Sequence, residues 1–437
     1  MREMKDSGIP WIGEIPKEWE ICKVKNVFVR KNEKAHQDNP VVLSLARAGV
    51  KVRDMSTNEG QIAESYYDYN PVEPFDLLLN PMDLYSGANC SISLVSGVIS
   101  PAYVNLRAKS NASPKYYDYY FKTQYWSMAF FAHGKGISFD NRWTLGMDTL
   151  FRYYIPFPSF AEQQRIAEFL DRKCAEVDEM IGLQEQIIEE LKAYKQSVIT
   201  EAVTKGLNPD APMRDSGIEW IGQIPEHWNI AKLSILFSFK GGYAFDSSDF
   251  RMEGTNQVVR IGNVKNDSLL LDTSPVYVSD EIALKAQKSK LDNGQILFTM
   301  TGTKGKRDYF YTLLLKDYHF SEKALYLNQR VGCFIGKDNV YAGYYNYLLK
   351  DKHILDAIFL YETGTANQGN LGIESIKQTK VQFPLITEQQ AIADYLDEKC
   401  ADIDSLIQTK LSKIDSLKEY KKSIIYEYVT GKQEVNE

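Results

Sequence analysis

Two stretches, EQQRIAEFLDRKCAEVDEMI at residues 162–181 and EQQAIADYLDEKCADIDSLI at residues 388–407, are identical at twelve of twenty positions. A second pair, DSGIPWIGEIPKEW at 6–19 and DSGIEWIGQIPEHW at 215–228, is identical at ten of fourteen. The chain therefore contains two copies of one arrangement, in which a short phrase is followed by a globular insert and then by an EQQ segment. The two inserts differ in length and share little sequence, so the frame is duplicated and the inserts are not.

The EQQ segments have the apolar spacing of long helices. Apolar residues recur at alternating intervals of four and three for about five heptads, as in the core positions of a coiled coil. Such a helix would be roughly 60 Å long and needs a partner to be stable. The obvious partner is the other copy, and the alternative is that each helix packs separately on its own insert. The predicted coiled-coil core comprises Leu170, Val177, Ile181, Ile188, Leu191, Leu396, Ile403, Ile407, Ile414 and Leu417.

The repeated phrase is interpreted as a joint. If the helices pair antiparallel, the phrase at 215–228 is where the chain re-enters a globular module from the first helix. The phrase at 6–19 is then the same joint, with its helix supplied by the C-terminal half. The tryptophans of both phrases are most simply packing anchors, and partner binding is the alternative.

Length and composition limit the classes of protein to which this chain can belong. At 437 residues, with 44% hydrophobic residues, the chain is long enough for two globular modules. The polar start and the absence of a long apolar run predict neither a signal peptide nor a membrane span. The five cysteines are far apart, which indicates a reduced, cytoplasmic protein without structural zinc.

The net charge of −7 does not exclude nucleic acid as a partner. Residues 20–155 contain 15 Lys and Arg against 13 Asp and Glu, and residues 230–384 contain 19 against 16. The acidity therefore lies in the repeated frame, and both inserts are slightly basic. This distribution permits a basic face on each insert.

No catalytic motif is recognisable. The sequence has no HExxH metal site, no phosphate-binding P-loop and no GxSxG nucleophile elbow. Two divergent inserts without a shared catalytic set favour binding over catalysis. An enzyme with an unrecognised site is the remaining alternative, and so is a non-catalytic coiled-coil scaffold with two protein-binding modules.

Both inserts contain polar loops punctuated by glycine, with basic and aromatic residues. Arg, Asn and Gln can read guanine and adenine edges, whereas Lys and Thr suit phosphates. Alternating apolar runs indicate strands and others indicate helices, so each insert is predicted to be a mixed α/β module. The candidate DNA-binding residues are Arg47, Lys51, Arg53, Lys135, Asn141, Arg142, Lys240, Tyr243, Arg260, Asn263, Thr301, Lys304, Lys306, Arg307, Arg330, Asn367, Gln368 and Asn370.

The whole chain resembles the specificity subunits of type I restriction-modification systems. The resemblance rests on the repeated GxIPxxW phrase, the FPxxxEQQxIAxxLD helix openings and the Lys-x-Ser-Val/Ile-Ile helix ends at 195–199 and 421–425. TGTANQGNL at 363–371 also fits the family, whereas GISFDNRWTL at 136–145 departs from it.

The resemblance implies an α+β fold, with two target recognition domains joined by two long helices that form an antiparallel, pseudo-two-fold coiled coil. The domains expected are 1–155 for the first recognition domain, 156–206 for the first helix, 207–384 for the linker and second recognition domain, and 385–437 for the second helix. Each recognition domain would read one half of a bipartite target in double-stranded DNA. The coiled coil would set the spacing and bind two modification subunits.

The resemblance also implies that this subunit is not itself an enzyme. No cofactor or metal is expected in this chain. S-adenosylmethionine, ATP and Mg²⁺ are expected on the modification and restriction subunits.

Overall fold

The computed structural model describes residues 2–435 except 47, 57–62, 83, 86–88, 139–142, 321–322 and 366. The chain divides into two compact units. Unit 1 comprises Met1–Glu185 and Lys410–Glu437, and unit 2 comprises Gln186–Thr409. Each unit thus contains one phrase, one insert and half of each long helix, whereas the predicted domains separated the helices from the inserts.

Unit 1 is a mixed α/β module in which most strands precede all but the first of the short helices along the chain. Its strands are β1 (Met4–Asp6), β2 (Glu14–Pro16), β3 (Glu20–Lys23), β4 (Phe28–Lys31), β5 (Leu43–Ala46), β6 (Gly49–Val52), β7 (Asn70–Val72), β8 (Leu77–Leu79), β9 (Cys90–Ile92), β10 (Gly97–Ile99), β11 (Val104–Ala108) and β12 (Tyr154–Phe157). Its helices are α1 (Val24–Val27), α2 (Pro114–Trp126), α3 (Ala129–Ala132) and α4 (Met147–Arg152).

The long helix α5 spans Phe160–Lys205, and α11 spans Ile386–Val429. Unit 2 has five shorter helices in its described part, α6 (Leu233–Leu236), α7 (Asp280–Lys285), α8 (Ala342–Leu348), α9 (Lys352–Phe359) and α10 (Ile373–Gln378). Its strands are β13 (Met213–Asp215), β14 (Gln223–Pro225), β15 (Asn229–Lys232), β16 (Phe237–Gly241), β17 (Asn256–Val259), β18 (Val264–Lys265), β19 (Ser268–Leu269), β20 (Tyr277–Val278), β21 (Ile296–Thr299), β22 (Thr301–Gly302), β23 (Thr312–Leu314), β24 (Ala324–Leu327), β25 (Val331–Gly336), β26 (Thr363–Thr365), β27 (Gln368–Asn370) and β28 (Lys380–Phe383).

The two inserts share a central sheet despite their different sequences. In unit 1 the order is β4-β11-β8-β9, and in unit 2 it is β16-β25-β21-β23, with every neighbouring pair antiparallel. In each unit a further pair, β3 with β12 or β15 with β28, leads into a long helix. Unit 2 adds a second sheet, β20-β17-β24, in which β17 and β24 are parallel.

The core of each unit joins the central sheet to the long helices. In unit 1, the buried side chains of Leu170 on α5 and Val429 on α11 belong to the same apolar cluster as the fully buried Trp19. In unit 2, Val203 and Leu396 belong to one cluster with Trp228. Apolar burial of this kind supplies most of the stability of a long amphipathic helix.

The predicted pairing of the long helices is confirmed, and it is antiparallel. In unit 1 the first half of α5 meets the second half of α11, where Lys421 donates to both oxygens of Asp178 at 2.6 and 2.7 Å. In unit 2, Lys195 donates to both oxygens of Asp404 at 2.7 and 2.8 Å. All ten predicted core positions are buried or half-buried. The ends of both long helices also pack on the inserts. The alternative, in which each helix packs only on its own insert, therefore accounts for only part of the burial.

The interpretation of the phrase as a joint agrees with the contacts of both copies. In unit 1, the indole N–H of Trp19 donates to Glu162 at 2.9 Å, and the Tyr116 hydroxyl donates to the carbonyl of Val429 at 2.8 Å. In unit 2, Trp228 donates to Glu388 at 3.3 Å and Tyr344 to the carbonyl of Val203 at 2.9 Å. The phrase is therefore bonded to the start of one long helix, and the insert is bonded to the end of the other.

The first glutamine of each EQQ segment also bonds the start of a long helix to its insert. Gln163 accepts from the N–H of Ser113 at 2.8 Å, just before α2, and donates to the carbonyl of Pro158 at 2.9 Å. Gln389 repeats the pattern with the N–H of Tyr341 and the carbonyl of Pro384. Both glutamines are fully buried, and a buried amide needs such partners. The repeated EQQ sequence thus has a structural explanation.

Candidate nucleic-acid interface

The candidate loops of unit 2 converge on one region. Tyr243 pairs with Asn328 as a parallel bridge, and its N–H donates to the carbonyl of Leu327 at 2.8 Å. Asn328 in turn donates its N–H to the carbonyl of Val259, directly before Arg260. Three candidate segments distant in sequence are therefore held together by main-chain hydrogen bonds.

Two further candidate segments join this region through Met300. Its N–H donates to the carbonyl of Arg330 at 3.2 Å, and its carbonyl accepts from the N–H of Leu371 at 2.9 Å. Next to it, Thr301 pairs with Asn370 in the small sheet β22-β27-β26. Main-chain hydrogen bonds thus connect all five segments that the sequence singled out in this insert, and we call their exposed side chains the unit 2 surface.

The hairpin of β26 and β27 carries the exposed amides of this surface. Asn367, Gln368 and Asn370 are exposed, whereas Gly369 between them is buried. Because side chains alternate along a strand, Gln368 and Asn370 lie on the face opposite to the packed face at Gly369. The Lys304 ammonium donates to the carbonyl of Gly364 at 3.1 Å and so lies beside the hairpin. Lys306 and Arg330 are exposed as well.

Four further candidate residues make contacts within the protein. Asn263 is buried, and its amide donates to the carbonyls of Leu270 at 2.9 Å and Thr273 at 3.1 Å. The three others are basic. Lys240 donates to the carbonyl of Lys290 at 2.5 Å, Arg260 donates to the carbonyl of Ser274, and Arg307 pairs with Asp356 and lies 5.6 Å above the Phe359 ring.

These internal contacts matter because an amide committed to two carbonyls has no donor left for a base. We therefore assign Asn263 to loop stabilisation. Thr301 is half-buried within β22, and Tyr243 is partly exposed and packs edge-to-face against Phe245 at 4.9 Å.

The candidate residues of unit 1 fall on two segments of the sequence, 47–53 and 135–142. Lys51 and Lys135 are exposed, and Arg53 is half-exposed with its N–H donating to the carbonyl of Val42. Arg47, Asn141 and Arg142 lie outside the described residues. The amide of Asn89 donates to the carbonyl of Ala46 at 2.6 Å, beside the hairpin of β5 and β6.

The second segment of unit 1 occupies the place that β26 and β27 have in unit 2. Lys135 and Thr144 exchange two main-chain hydrogen bonds of 2.9 Å, and the N–H of Leu145 donates to the carbonyl of Pro81 at 2.8 Å. The Leu371 N–H makes the corresponding bond in unit 2. The departure of GISFDNRWTL from TGTANQGNL therefore changes the side chains while this anchor is kept.

Sequence reasoning missed three residues of the unit 2 surface. Thr363 and Thr365 are exposed on β26, next to the amides of β27. Glu362, directly before them, accepts from the Tyr309 hydroxyl at 2.7 Å. The alternation of Thr363, Gly364 and Thr365 ahead of Asn367 was a hairpin signal, but nothing in the sequence pointed to Glu362.

The groups with strongly raised pKa values stay protonated at neutral pH. Burial, with the Glu362 hydrogen bond, raises the pKa of Tyr309 well above its usual range, so this hydroxyl remains a donor. Burial raises the pKa of the Cys22 and Cys333 thiols to about 12, so both stay protonated at neutral pH. Within the described residues, no group of His, Cys, Asp and Glu could hold a metal ion.

None of the helices in the described ranges combines the length and apolar character needed to cross a membrane. The chain thus combines a duplicated frame of phrase and long helix with two different loop-bearing inserts.

Comparisons with known proteins show what this chain is similar to. A family model described as the type I restriction modification DNA specificity domain matches residues 225–430. The type I restriction enzyme MjaVIII specificity subunit of Methanocaldococcus jannaschii is 28% identical over 283 residues, 64% of this chain and 61% of that protein. The putative MjaX specificity subunit of the same organism is 23% identical over 450 residues, 96% of this chain and 95% of that protein.

A chain from a solved structure, described as showing complex assembly and conformational transition of the type I R-M system, has the same fold. Its TM-score is 0.69 at 14% identity, and the match covers 96% of this chain and 99% of that chain. The chain is thus similar, over nearly its whole length, to specificity subunits of type I restriction enzymes.

Proposed function

We propose that this chain is the DNA-reading subunit of a type I restriction-modification complex and carries out no catalytic step itself. Each insert reads one half of a bipartite target in double-stranded DNA. The observation that carries the proposal is the convergence of five candidate segments of unit 2 on one surface with exposed amides, threonines and cations.

The chemistry of that surface suits DNA in two ways. The amides of Gln368 and Asn370 can bind the N6 and N7 edge of adenine with two hydrogen bonds, and Arg330 can bind the O6 and N7 edge of guanine. Lys304 and Lys306 are suited to phosphates, which fix the protein on the duplex without reading sequence. Because the two inserts carry different loops on one frame, they read two different half-sites rather than a palindrome.

The paired helices α5 and α11 are proposed to set the spacing between the half-sites and to bind two modification subunits. Those subunits would carry S-adenosylmethionine and methylate adenine, and restriction subunits would hydrolyse ATP with Mg²⁺ and cut DNA. A duplicated helical frame supports two equivalent partner sites, because each repeat presents the same segments.

A module exchange tests the proposal. Residues 20–155 are replaced by the corresponding insert of another family member, and the assembled complex methylates genomic DNA whose modified bases are then sequenced. One half of the target should change and the other half should stay, with residues 230–384 exchanged as the reciprocal control. A target that changes in both halves, or in neither, would contradict the assignment of one half to each insert.

A salt titration separates DNA reading from protein binding. If phosphates supply much of the affinity, binding of the complex to a target duplex should weaken steeply between about 50 and 200 mM salt. A complex whose duplex binding does not respond to salt would favour the scaffold function instead.

A further inference from the structure

A carboxylate lies where the basic loop of unit 2 meets the hairpin of β26 and β27. Glu362, directly before β26, accepts from the Tyr309 hydroxyl at 2.7 Å. Its two oxygens also lie 3.2 and 3.3 Å from the main-chain nitrogen of Gly305. One side chain therefore ties the loop at 303–309 to the start of the hairpin.

The packed face of the hairpin rests on this contact. A side chain at residue 369 would overlap the Glu362 carboxylate and would come within 2.7 Å of the Tyr309 hydroxyl. Glycine at position 369 therefore lets the hairpin lie this close without displacing either side chain. The exposed amides of Gln368 and Asn370 lie on the opposite face, so their position depends on how the packed face is held.

We propose that Glu362 is a positioning residue for sequence reading by unit 2. Its carboxylate fixes the hairpin of β26 and β27 against the loop at 303–309 and so sets the position of the Gln368 and Asn370 amides relative to the bases. This inference rests on the proposed DNA-reading function and goes beyond it by naming the element that confers specificity and the residue that orients it.

Physical reasons support a positioning role. A short hairpin is marginally stable by itself, and a bidentate amide contact discriminates bases only if its geometry is fixed. Tyr309 is buried, and its ring packs edge-to-face on Phe359 at 5.0 Å, so the donor is itself immobile. Burial also keeps this hydroxyl protonated by raising its pKa.

Unit 1 provides a control within the same molecule. Its corresponding ladder, between Lys135 and Thr144, lies next to Trp143, whose indole N–H donates to the carbonyl of Phe131 at 2.8 Å. In unit 1 the residue beside this ladder is thus a tryptophan, whereas in unit 2 a carboxylate holds the hairpin. The proposed role of Glu362 therefore concerns only the half of the target that unit 2 reads.

The test uses the assembled complex with Glu362→Ala, Glu362→Gln and Gly369→Ala, and with Glu281→Gln as a matched control. Glu281 is exposed and pairs with Lys285 on α7, which is not part of the hairpin. Sequencing of methylated DNA reports the preference at every position in both halves of the target. Duplex affinity on a non-target sequence and thermal unfolding are measured in parallel.

We expect Glu362→Ala and Gly369→Ala to relax discrimination by about tenfold at positions in one half only, at the lower end of what a single mismatched base pair costs. Glu362→Gln, which keeps an acceptor for Tyr309, should retain part of the discrimination. The control variant, the other half of the target and the non-target affinity should match the wild type.

Two outcomes would overturn the inference. Full discrimination in Glu362→Ala would show that the carboxylate does not position the hairpin. A uniform loss of affinity for all sequences, accompanied by a lower melting temperature, would assign Glu362 to stability alone. A Gln368→Ala, Asn370→Ala double variant separates the two proposals, because unchanged specificity there would argue against base reading by the hairpin itself.

Discussion

Replacement of Glu162 by alanine should destabilise the protein far more than the same change at the repeat-related Glu388. In unit 1, Glu162 is buried, and both of its oxygens are used. One accepts from the Trp19 indole at 2.9 Å and the other pairs with Arg2 at 2.6 Å. In unit 2, Ala211 stands at the position equivalent to Arg2.

The contacts of Glu388 are correspondingly weaker. It accepts from the Trp228 indole at 3.3 Å and contacts His227 at 2.9 Å with the same oxygen. Its other oxygen is buried and has no hydrogen-bond partner within the described part of the chain. Its side chain is 33% exposed, against 11% for Glu162, so solvent can replace more of what it supplies.

The expected magnitudes follow from these contacts. Loss of Glu162 leaves a buried indole N–H without an acceptor and a mostly buried guanidinium without this partner, which should cost about 3 kcal/mol of unfolding free energy. For a unit of this size each kcal/mol lowers the melting temperature by about 2–4 °C, so the drop should be roughly 6–12 °C. Glu388→Ala should cost about 1 kcal/mol and lower the melting temperature by about 2–4 °C.

Differential scanning calorimetry of the full chain measures both variants, and hydrogen exchange at the two tryptophan segments identifies which unit is destabilised. Glu162→Gln is the matched control, because it keeps an acceptor for the indole and removes only the charge. It should fall between the wild type and Glu162→Ala. An equal or larger loss in Glu388→Ala would refute the reasoning.

Three further predictions concern the helices and their anchors. Tyr116→Phe and Tyr344→Phe each remove one buried hydroxyl from a carbonyl at the end of a long helix, and each should cost about 1 kcal/mol in chemical denaturation. Ile181→Asp together with Ile407→Asp places charges in the helix seam at a cost of several kcal/mol, and should abolish assembly with partner subunits in size-exclusion chromatography; unchanged assembly would contradict the seam. Burial lowers the pKa of Lys350. At a pH below that lowered pKa, the charged ammonium therefore reduces the stability of the folded state. This loss of stability disappears as pH rises to about 10.5. Lys350→Met should therefore gain stability relative to the wild type at pH 7, less so at pH 10.5, and a gain that grows with pH would contradict the burial argument.

The repeated frame was readable from sequence because it follows simple periodic rules. Intervals of four and three residues placed Val177 and Ile188 in a seam, and burial agrees at each of the ten positions. The partners of Lys195 and Lys421 were not apparent, because in a sequence these residues are only polar interruptions of the seam. In the structure their ammonium groups reach aspartates of the opposite helix, which reconciles them with a half-buried position.

The inserts were predicted only as mixed α/β modules because their strands pair over long sequence distances. Sheet order depends on contacts such as β4 with β11, and strand patterns do not encode which strands become neighbours. The common order of the two central sheets is therefore invisible in sequences that share little. The same limit applies to Asn263, whose residue type suits a base edge, whereas its buried amide is committed to two main-chain carbonyls.

The ion pairs between α5 and α11 restrict which insertions can lengthen these two helices. Lys195 and Asp178 are seventeen residues apart on α5, and their partners Asp404 and Lys421 are seventeen apart on α11. An insertion of seven residues between the two positions on one helix alone preserves the apolar period but displaces one pair by two turns. Both pairs survive only if the other helix gains a matching insertion, so lineages that lengthen this protein should carry their insertions in both copies at once.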